Sequence, residues 1–484
     1  MIFEITILVL YVLSLLFICL FSIGQLHLSW HYINGAVKKK RTIPLKEYPK
    51  VTVQLPVYNE KYVIARLIDS VCSFDYPKEL LEIQVLDDST DETVGVIDAK
   101  VNEWRLKGVD IKHITRSDRT GFKAGALAHG LTLAQGEYIA IFDADFLPDS
   151  YFLKTALSEF FDDTGMVQTR WGHINRDYSF LTKLQAFALD AHFSVEQVGR
   201  QHAGSFINFN GTGGIWRKCC IEEAGGWSAD TLTEDLDLSY RAQLKGWKFK
   251  YLERFESPAE LPVIMSAIKS QQYRWNKGAA ETARKHFGKV LSANMSWVNK
   301  IHAFFHLFNS SVFMCVLISA VLSVPLLYLS AQNEYYQKVF TYGWVLLIGF
   351  FSIAFYYLVA TVNSRGGHLR SFLKLFIPFL VVSMGLSLHN GLAVMEGWLG
   401  KKTPFVRTPK FNVISSKDSW AGNVYVKPKW SMLALMEAVM SLYFAFGVAL
   451  GFYLNDYKLI LFHFMLSVGF ALVFMFSVKP IKRG

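Results

Sequence analysis

The 484-residue chain is predicted to carry one α/β domain on a parallel sheet, set into a bundle of membrane-spanning helices. Three observations lead there. Charged residues make up 19% and hydrophobic residues 52% of the chain, where an ordinary globular domain has roughly 25% charged. The apolar residues are bunched at the two ends, and the middle, from about Lys38 to Lys300, is mixed. Within that middle, strand and helix periodicities alternate, the pattern of a doubly wound sheet. The length suits two or three domains, and the composition excludes disorder.

The first apolar run, 5–28, is long enough to span a bilayer. It has no basic start and no small-residue cleavage site, so it reads as an uncleaved anchor. Lys38-Lys39-Lys40-Arg41 follows it. By the positive-inside rule this puts the N-terminus outside and the soluble domain in the cytoplasm. Four more runs, 308–330, 339–362, 431–454 and 457–478, read as spans. A further stretch, 372–397, contains Pro378, Gly385, His389, Asn390, Gly391 and Glu396, poor company for lipid. The loop after it is rich in lysine and arginine up to Lys429 and belongs inside. The stretch is therefore expected to be interfacial or re-entrant. The result is a multi-pass protein of five spans with its C-terminus in the cytoplasm. The net charge of +10 gathers beside the apolar runs, so lipid headgroups rather than nucleic acid are the expected anionic partner. Five cysteines without CxxC spacing argue for a reducing compartment and no disulfide framework.

In the middle stretch, 51–57 reads as a strand, 61–74 as a helix and 83–87 as a strand. A helix over 91–107, a short strand over 111–114, a helix over 122–134 and a strand over 138–143 follow. Ligands of such sheets bind beyond the carboxyl ends of the strands. Three polar clusters fall there: Tyr58-Asn59-Glu60, Asp87-Asp88-Ser89-Thr90-Asp91 and Asp143-Ala144-Asp145.

Asp143 and Asp145 are two residues apart, so an extended chain points both carboxylates to one face. Such a pair suits a hard divalent cation completed by water and phosphate oxygens, although acidic turns are common. Asp87 and Asp88 are equally good as a turn and helix cap. Lys123 stands at a predicted helix start, where a cation beside free backbone N–H groups suits a diphosphate; a plain surface lysine is the other reading. In Thr233-Glu234-Asp235, Asp235 is a candidate general base, or merely one of several acids opening a helix. Gln271-Gln272-Tyr273-Arg274-Trp275 sets a planar cation beside a large aromatic, able to hold a phosphate and stack on a sugar ring. An amphipathic helix anchored by tryptophan explains it as well. Together the clusters fit sugar transfer from a nucleotide sugar.

These residues resemble glycosyltransferase family 2, in its processive, cellulose synthase-like membrane branch. Asp87-Asp88, Asp143-Ala144-Asp145, Thr233-Glu234-Asp235 and the Gln271–Trp275 motif stand in the family's order. Val53 to Glu60, Gln84 to Asp91, Lys123 to Leu127, Ile141 to Phe146 and Phe209 to Arg217 are similar to the mannan and glucan backbone synthases of plants. The resemblance implies an α/β GT-A (Rossmann-like) cytoplasmic domain inserted in an α-helical transmembrane region, and inverting chemistry with Mg²⁺ or Mn²⁺. It implies that Tyr58, Glu60, Asp87 and Asp88 face the nucleoside and that Lys123 and Arg274 bind the diphosphate. Asp143 and Asp145 hold donor and metal, with Asp145 favoured as direct ligand. Asp235 is the base. Asn210, Gly211, Thr212, Glu234 and Trp275 serve the acceptor, and Gln271 completes the motif with Arg274 and Trp275.

The implied organisation is an anchor (1–37), a transferase domain (38–300), two spans (301–363), an interfacial or re-entrant helix (364–398), a basic loop (399–430), and two spans with a basic tail (431–484). In the family a loop placed like 401–429 gates the site through F-x-V-T-x-K. Here Phe411-Asn412-Val413-Ile414-Ser415-Ser416-Lys417 lacks the threonine and shifts the lysine by one. A basic loop lying on anionic lipid is the alternative. His302, His306, Asn309 and Glu437 are candidates for a polar channel lining.

The expected function is processive transfer of hexosyl units from GDP-mannose or UDP-glucose to a growing β-linked polysaccharide, with export through the membrane. The alternatives are a transferase adding one sugar to a membrane lipid such as ceramide, and a transporter or scaffold that only binds nucleotide sugars. The sequence does not identify an accessory protein.

Overall fold

The computed structural model describes residues 2–35, 47–364, 367–415, 418 and 431–479. The cluster Lys38–Arg41 and Lys429, which entered the orientation argument, and Ser416 and Lys417 of the loop motif lie outside the described residues.

A seven-stranded sheet forms the core of the soluble domain: β1 (Val51–Val57), β2 (Leu81–Asp87), β3 (Asp110–Thr115), β4 (Tyr138–Ile141), β5 (Thr164–His173), β6 (Gly214–Arg217) and β7 (Lys248–Ala259). Their order is β3-β2-β1-β4-β6-β5-β7. The strands and helices expected between 51 and 143 are all present within a few residues, with the helices at Ile64–Cys72, Thr93–Leu106 and Phe122–Leu133. β3, β2, β1 and β4 are parallel, as the alternating pattern predicts.

The purely parallel expectation fails at β6, which runs antiparallel to both β4 and β5. The consequence is functional. A parallel strand delivers its C-terminal end to the ligand edge, whereas an antiparallel strand starts there. The loop Asn210–Gly213 before β6 therefore meets the end of β4, where Gly213 N–H bonds the Ile141 carbonyl at 2.9 Å. Gly213 has φ +66°, so the turn into β6 uses backbone space that glycine reaches without strain.

β1 explains the sheet's two faces. Val51, Val53, Leu55 and Val57 pack into an apolar core with Ile64, Leu67, Ile83, Val85 and Phe142. On the other face Thr52 donates to Glu82 at 2.6 Å and Gln54 to Gln84 at 3.1 Å, a buried and hydrogen-bonded polar ladder. The Phe122–Leu133 helix closes on that face through Gly130, where a Cβ would lie 2.6 Å from the Gln54 amide.

Among the described residues five helices are long and apolar enough to cross a membrane: Ile2–Asn34, Ser311–Gln332, Glu334–Asn363, Met432–Tyr453 and Ile460–Val478. They match the expected runs. The 372–397 stretch forms two helices, Leu369–Gly385 and Ser387–Trp398, bent by 53°; counted as one broken span they make a sixth. The first crosses Ile460–Val478 at Gly385 and Gly469, where an added Cβ would come within 2.3 Å of backbone. The second packs on the long helix Met265–Ser292, with Gly397 set against the Lys277 carbonyl.

Three of the four suggested channel residues are committed to protein contacts. His302 bonds His27 at 2.9 Å, His306 bonds Tyr240 at 2.8 Å, and Glu437 takes both carboxylate oxygens to Lys269 at 2.6 and 2.7 Å. His306 and Glu437 thereby join helices to the soluble domain, through Tyr240 and Lys269, and His302 joins its helix to Ile2–Asn34.

Candidate active site

The three clusters meet at one edge because the strands are parallel: β1 and β2 end together, with Val57 opposite Asp87, and β4 ends beside β1 with Ile141 opposite Gln54. The cleft beyond them has two lobes, of about 630 and 820 Å³. Lys123, Asp143, Asp145 and Arg274 line both.

The first lobe holds Tyr58, Glu60, Asp88 and Arg119. The Arg119 guanidinium lies 3.3 Å above the Tyr58 ring, and Arg116 clamps Asp88 through two of its nitrogens. Asp87 is not on the cleft wall. Its carboxylate accepts from His113 at 2.9 Å and from the Ser89 N–H at 2.8 Å, so it builds the turn that presents Asp88. Gly125 makes the following turn possible: a Cβ there would lie 2.1 Å from the Thr120 carbonyl.

Between the lobes, Lys123 donates to Asp143 at 2.6 Å and to the Gly211 carbonyl at 2.9 Å, and lies 3.7 Å from Glu234. Burial disfavours its charge, but Asp143 and Glu234 outweigh this and raise its pKa. Thr212 is fully buried and holds the Asp143 N–H at 2.9 Å, so it orients the acidic pair from behind. Asp235 opens the Glu234–Leu244 helix, and its Oδ1 accepts the Leu236 N–H at 2.8 Å. Gly211, at φ +80°, brings the backbone so close that a Cβ would stand 3.0 Å from Asp235 Oδ2. Burial, then the Glu234 charge, pushes the Asp235 carboxyl up to about 7, against the pull of Lys123. Two positions on, Asp237 is buried among His286, Lys285 and Arg241, which pins the helix start.

The second lobe holds Asn210, Gly211, Glu234, Asp235, Gln271 and Trp275, together with Trp171 and His173. Gln271, Arg274 and Trp275 share the Met265–Ser292 helix, which threads under both lobes.

The basic loop enters the cleft. Lys410 donates to Asp145 at 2.7 Å, Arg407 pairs with Glu60 at 2.9 Å, and Arg274 donates to Thr408 at 2.7 Å. Phe405 stacks on Phe122 with centroids 5.6 Å apart and lies under the Arg274 guanidinium at 4.7 Å. Phe411 and Val413 are buried against Tyr178, Val263 and Ile264. The Phe411 and Asn412 N–H groups both donate to Glu260. The expected motif thus contributes Phe411 and Val413 as anchors, and among the described residues of the loop Arg407 and Lys410 put cations into the cleft.

Two carboxylates fit a hard divalent cation. Asp145 Oδ1 is buried with no hydrogen-bond partner, an acceptor left open at the cleft, and Asp143 lies on the same wall. Among the described residues no three His, Cys, Asp or Glu side chains form a complete metal cage. Diphosphate oxygens and water would complete the sphere.

Sequence reasoning placed Tyr58, Glu60, Asp88, Lys123, Asp143, Asp145, Asn210, Gly211, Glu234, Asp235, Gln271, Arg274 and Trp275, and all of them line the cleft. It missed Arg116, Arg119, Arg407, Lys410 and Trp171. The cluster of three basic residues within 116–123 was the available signal for the first two.

The family model for glycosyltransferase-like family 2 matches residues 49–298, and the chain belongs to that family. A probable glucomannan 4-beta-mannosyltransferase 7 of Oryza sativa subsp. japonica is 36% identical over 377 residues, covering 76% of this chain and 63% of that relative. The glucomannan 4-beta-mannosyltransferase 9 of Arabidopsis thaliana is 34% identical over 390 residues, covering 77% and 69%. The chain thus spans about two thirds of the length of these relatives. A solved structure of the mannosyltransferase PcManGT from Pyrobaculum calidifontis, in complex with GDP-Man and Mn²⁺, has the same fold, with a TM-score of 0.53. It is 20% identical, and the match covers 73% of this chain and 98% of that one.

Proposed function

We propose that this protein is an inverting glycosyltransferase that extends a β-linked glycan processively from a nucleotide sugar and passes the product into its own membrane helices. One observation carries the proposal. Asp235 shares its lobe with Trp275 and lies near Lys123, which also lines the lobe holding Tyr58 and Arg119, while the Gly211 backbone comes close to both Lys123 and Asp235.

The chemistry follows from the positions. The acceptor hydroxyl lies over Trp275 and attacks C1 of the donor sugar. Its O–H proton passes to Asp235 as the new C1–O bond forms. The bond from C1 to the phosphate oxygen breaks, and the electron pair leaves with the nucleoside diphosphate. In-line attack on an α-linked donor gives a β-linked product. Lys123 and Arg274 meet the charge that develops on the leaving group, where fixed cations in a partly buried site are most effective. A divalent cation on Asp143 and Asp145 would neutralise the diphosphate. A carboxyl tuned to about 7 is well matched to proton transfer near neutral pH.

The relatives named as glucomannan mannosyltransferases favour GDP-mannose as donor over UDP-glucose. We place the transferase domain and C-terminus in the cytoplasm and the N-terminus outside, and read the bent pair 369–398 as re-entrant. Loop 401–415 is then a gate that must leave the donor lobe before a nucleotide sugar enters.

Asp235→Asn tests the base. It is expected to lower transfer by at least about 10²-fold, the lower end of general-base contributions. Nucleoside diphosphate binding, measured by calorimetry, should hardly change. Equal loss of both would remove Asp235 from the role.

A further inference from the structure

The wall of the acceptor lobe contains one amide whose polarity is decided by its neighbours. Asn208 Nδ2 lies 3.2 Å from the Phe209 carbonyl. A carbonyl only accepts, so the atom facing it is the NH₂ group. The same NH₂ lies 2.7 Å from the Asn210 side chain, which must therefore present its oxygen there. A second anchor gives the same answer. Gln197 Nε2 faces the Asn208 main-chain carbonyl at 3.4 Å, which identifies it as a donor, and it also reaches Asn210 Oδ1 at 3.3 Å. With its oxygen facing Asn208 Nδ2, Gln197 Nε2 and, at 3.5 Å, His192 Nε2, Asn210 is left with Nδ2 elsewhere. Asn210 lines the lobe holding Asp235 and Trp275, and this nitrogen is buried with no hydrogen-bond partner among the described residues.

The supports are themselves held. His306 contacts Asn208 Oδ1 at 3.2 Å and Tyr240 at 2.8 Å. Gln197 follows directly on a π-helical turn, His192–Glu196, an irregularity frequent at functional sites. The Asn210 N–H is fixed to Gln168 Oε1 at 3.0 Å.

Building on the transferase reading above, we infer that Gln197 and Asn208 are positioning residues that turn the Asn210 amide so that its NH₂ donates to an oxygen of the incoming acceptor sugar. The polarity has a consequence for selection. The site rewards a hydroxyl or ether oxygen at that position on the acceptor and offers nothing to a group that can only donate. It also leaves the attacking hydroxyl's proton to Asp235, because Asn210 presents no acceptor there.

The test uses the 484-residue chain in lipid nanodiscs, with GDP-mannose and mannopentaose, and in parallel UDP-glucose and cellopentaose. Asn208→Asp replaces the donor with an acceptor facing Asn210 Oδ1, and Gln197→Met removes the second anchor. Each is expected to raise KM for the oligosaccharide at least about tenfold with a much smaller change in kcat, while calorimetric affinity for the nucleoside diphosphate stays at the wild-type value and reports a folded cleft. In an Asn210→Ala background neither change should lower acceptor use further, since both act through that amide. An unchanged KM, a parallel loss of nucleotide affinity in both variants, or full additivity with Asn210→Ala would overturn the inference. If one variant fails to fold, the other carries the same comparison. Absence of any transfer by the wild-type protein in both arms would instead remove the transferase reading, and this inference with it.

Discussion

The proposed base, Asp235, stands out from the carboxyls beside it by its surroundings. Glu234, Asp235 and Asp237 all open one helix, where the dipole welcomes negative charge. Their environments then separate them. Asp237 is held well below the usual carboxylate range by His286 and Lys285, against the cost of its burial, whereas Asp235 is buried beside Glu234 and pushed up to about 7. The sign for activity follows. Below about 7 Asp235 is protonated in the free enzyme and cannot accept the acceptor's proton. Transfer kcat/KM is expected to rise about tenfold per pH unit up to that point and then level. A pH profile flat from 5 to 8 would contradict it. At this scale the sequence was legible where chemistry sits at strand ends and element starts, as at Asp143, Asp145, Lys123 and Asp235. Asp87 was misleading, because facing the ligand or buttressing the turn depends on His113, a partner from a different strand.

At the scale of elements, the Met265–Ser292 helix connects chemistry to membrane. One face lays Gln271, Arg274 and Trp275 under the cleft. The other sends Lys269 to Glu437 on Met432–Tyr453 and to Ser477 on Ile460–Val478. Trp275→Ala is expected to impair elongation by at least tenfold while donor hydrolysis falls far less, as judged by product length against nucleotide release. The Lys269–Glu437 pair is almost fully buried, with side-chain exposures of 11% and 0%. Removing one partner of such a pair leaves a bare buried charge, so Lys269→Met is expected to cost roughly 3–5 kcal/mol. The double change Lys269→Met with Glu437→Leu should recover most of that. Unfolding in detergent reads both. The residue types of Gln271–Trp275 announced the motif, but periodicity could not show that the helix's rear face meets an acid 168 residues away. β6 escaped for a related reason: a four-residue strand carries no direction in its pattern.

For the whole molecule, the cleft is assembled from β-strand ends, the Met265–Ser292 helix and the basic loop, parts spread from Tyr58 to Lys410. The Lys410 ammonium rests on Asp145, one of the carboxylates suited to a cation. Loop and cation therefore compete for one charge. Lys410→Ala is expected to tighten Mn²⁺ binding to the donor-free protein several-fold, measured by the loss of free-ion EPR signal. Unchanged or weaker binding would mean that the loop does not oppose the metal. The basic composition of the loop was plain in the sequence, whereas its seat in the cleft depends on Glu60, Asp145 and Glu260, which lie far away along the chain.

The most direct measurement is incorporation of labelled sugar by purified protein in nanodiscs, with Mn²⁺ or Mg²⁺ and either GDP-mannose or UDP-glucose. The expected result is label in high-mass, glycanase-sensitive polymer from one donor, abolished by Asp235→Asn. Label confined to a lipid extract would contradict processive synthesis, and polymer formed equally well by Asp235→Asn would contradict the assignment of the base.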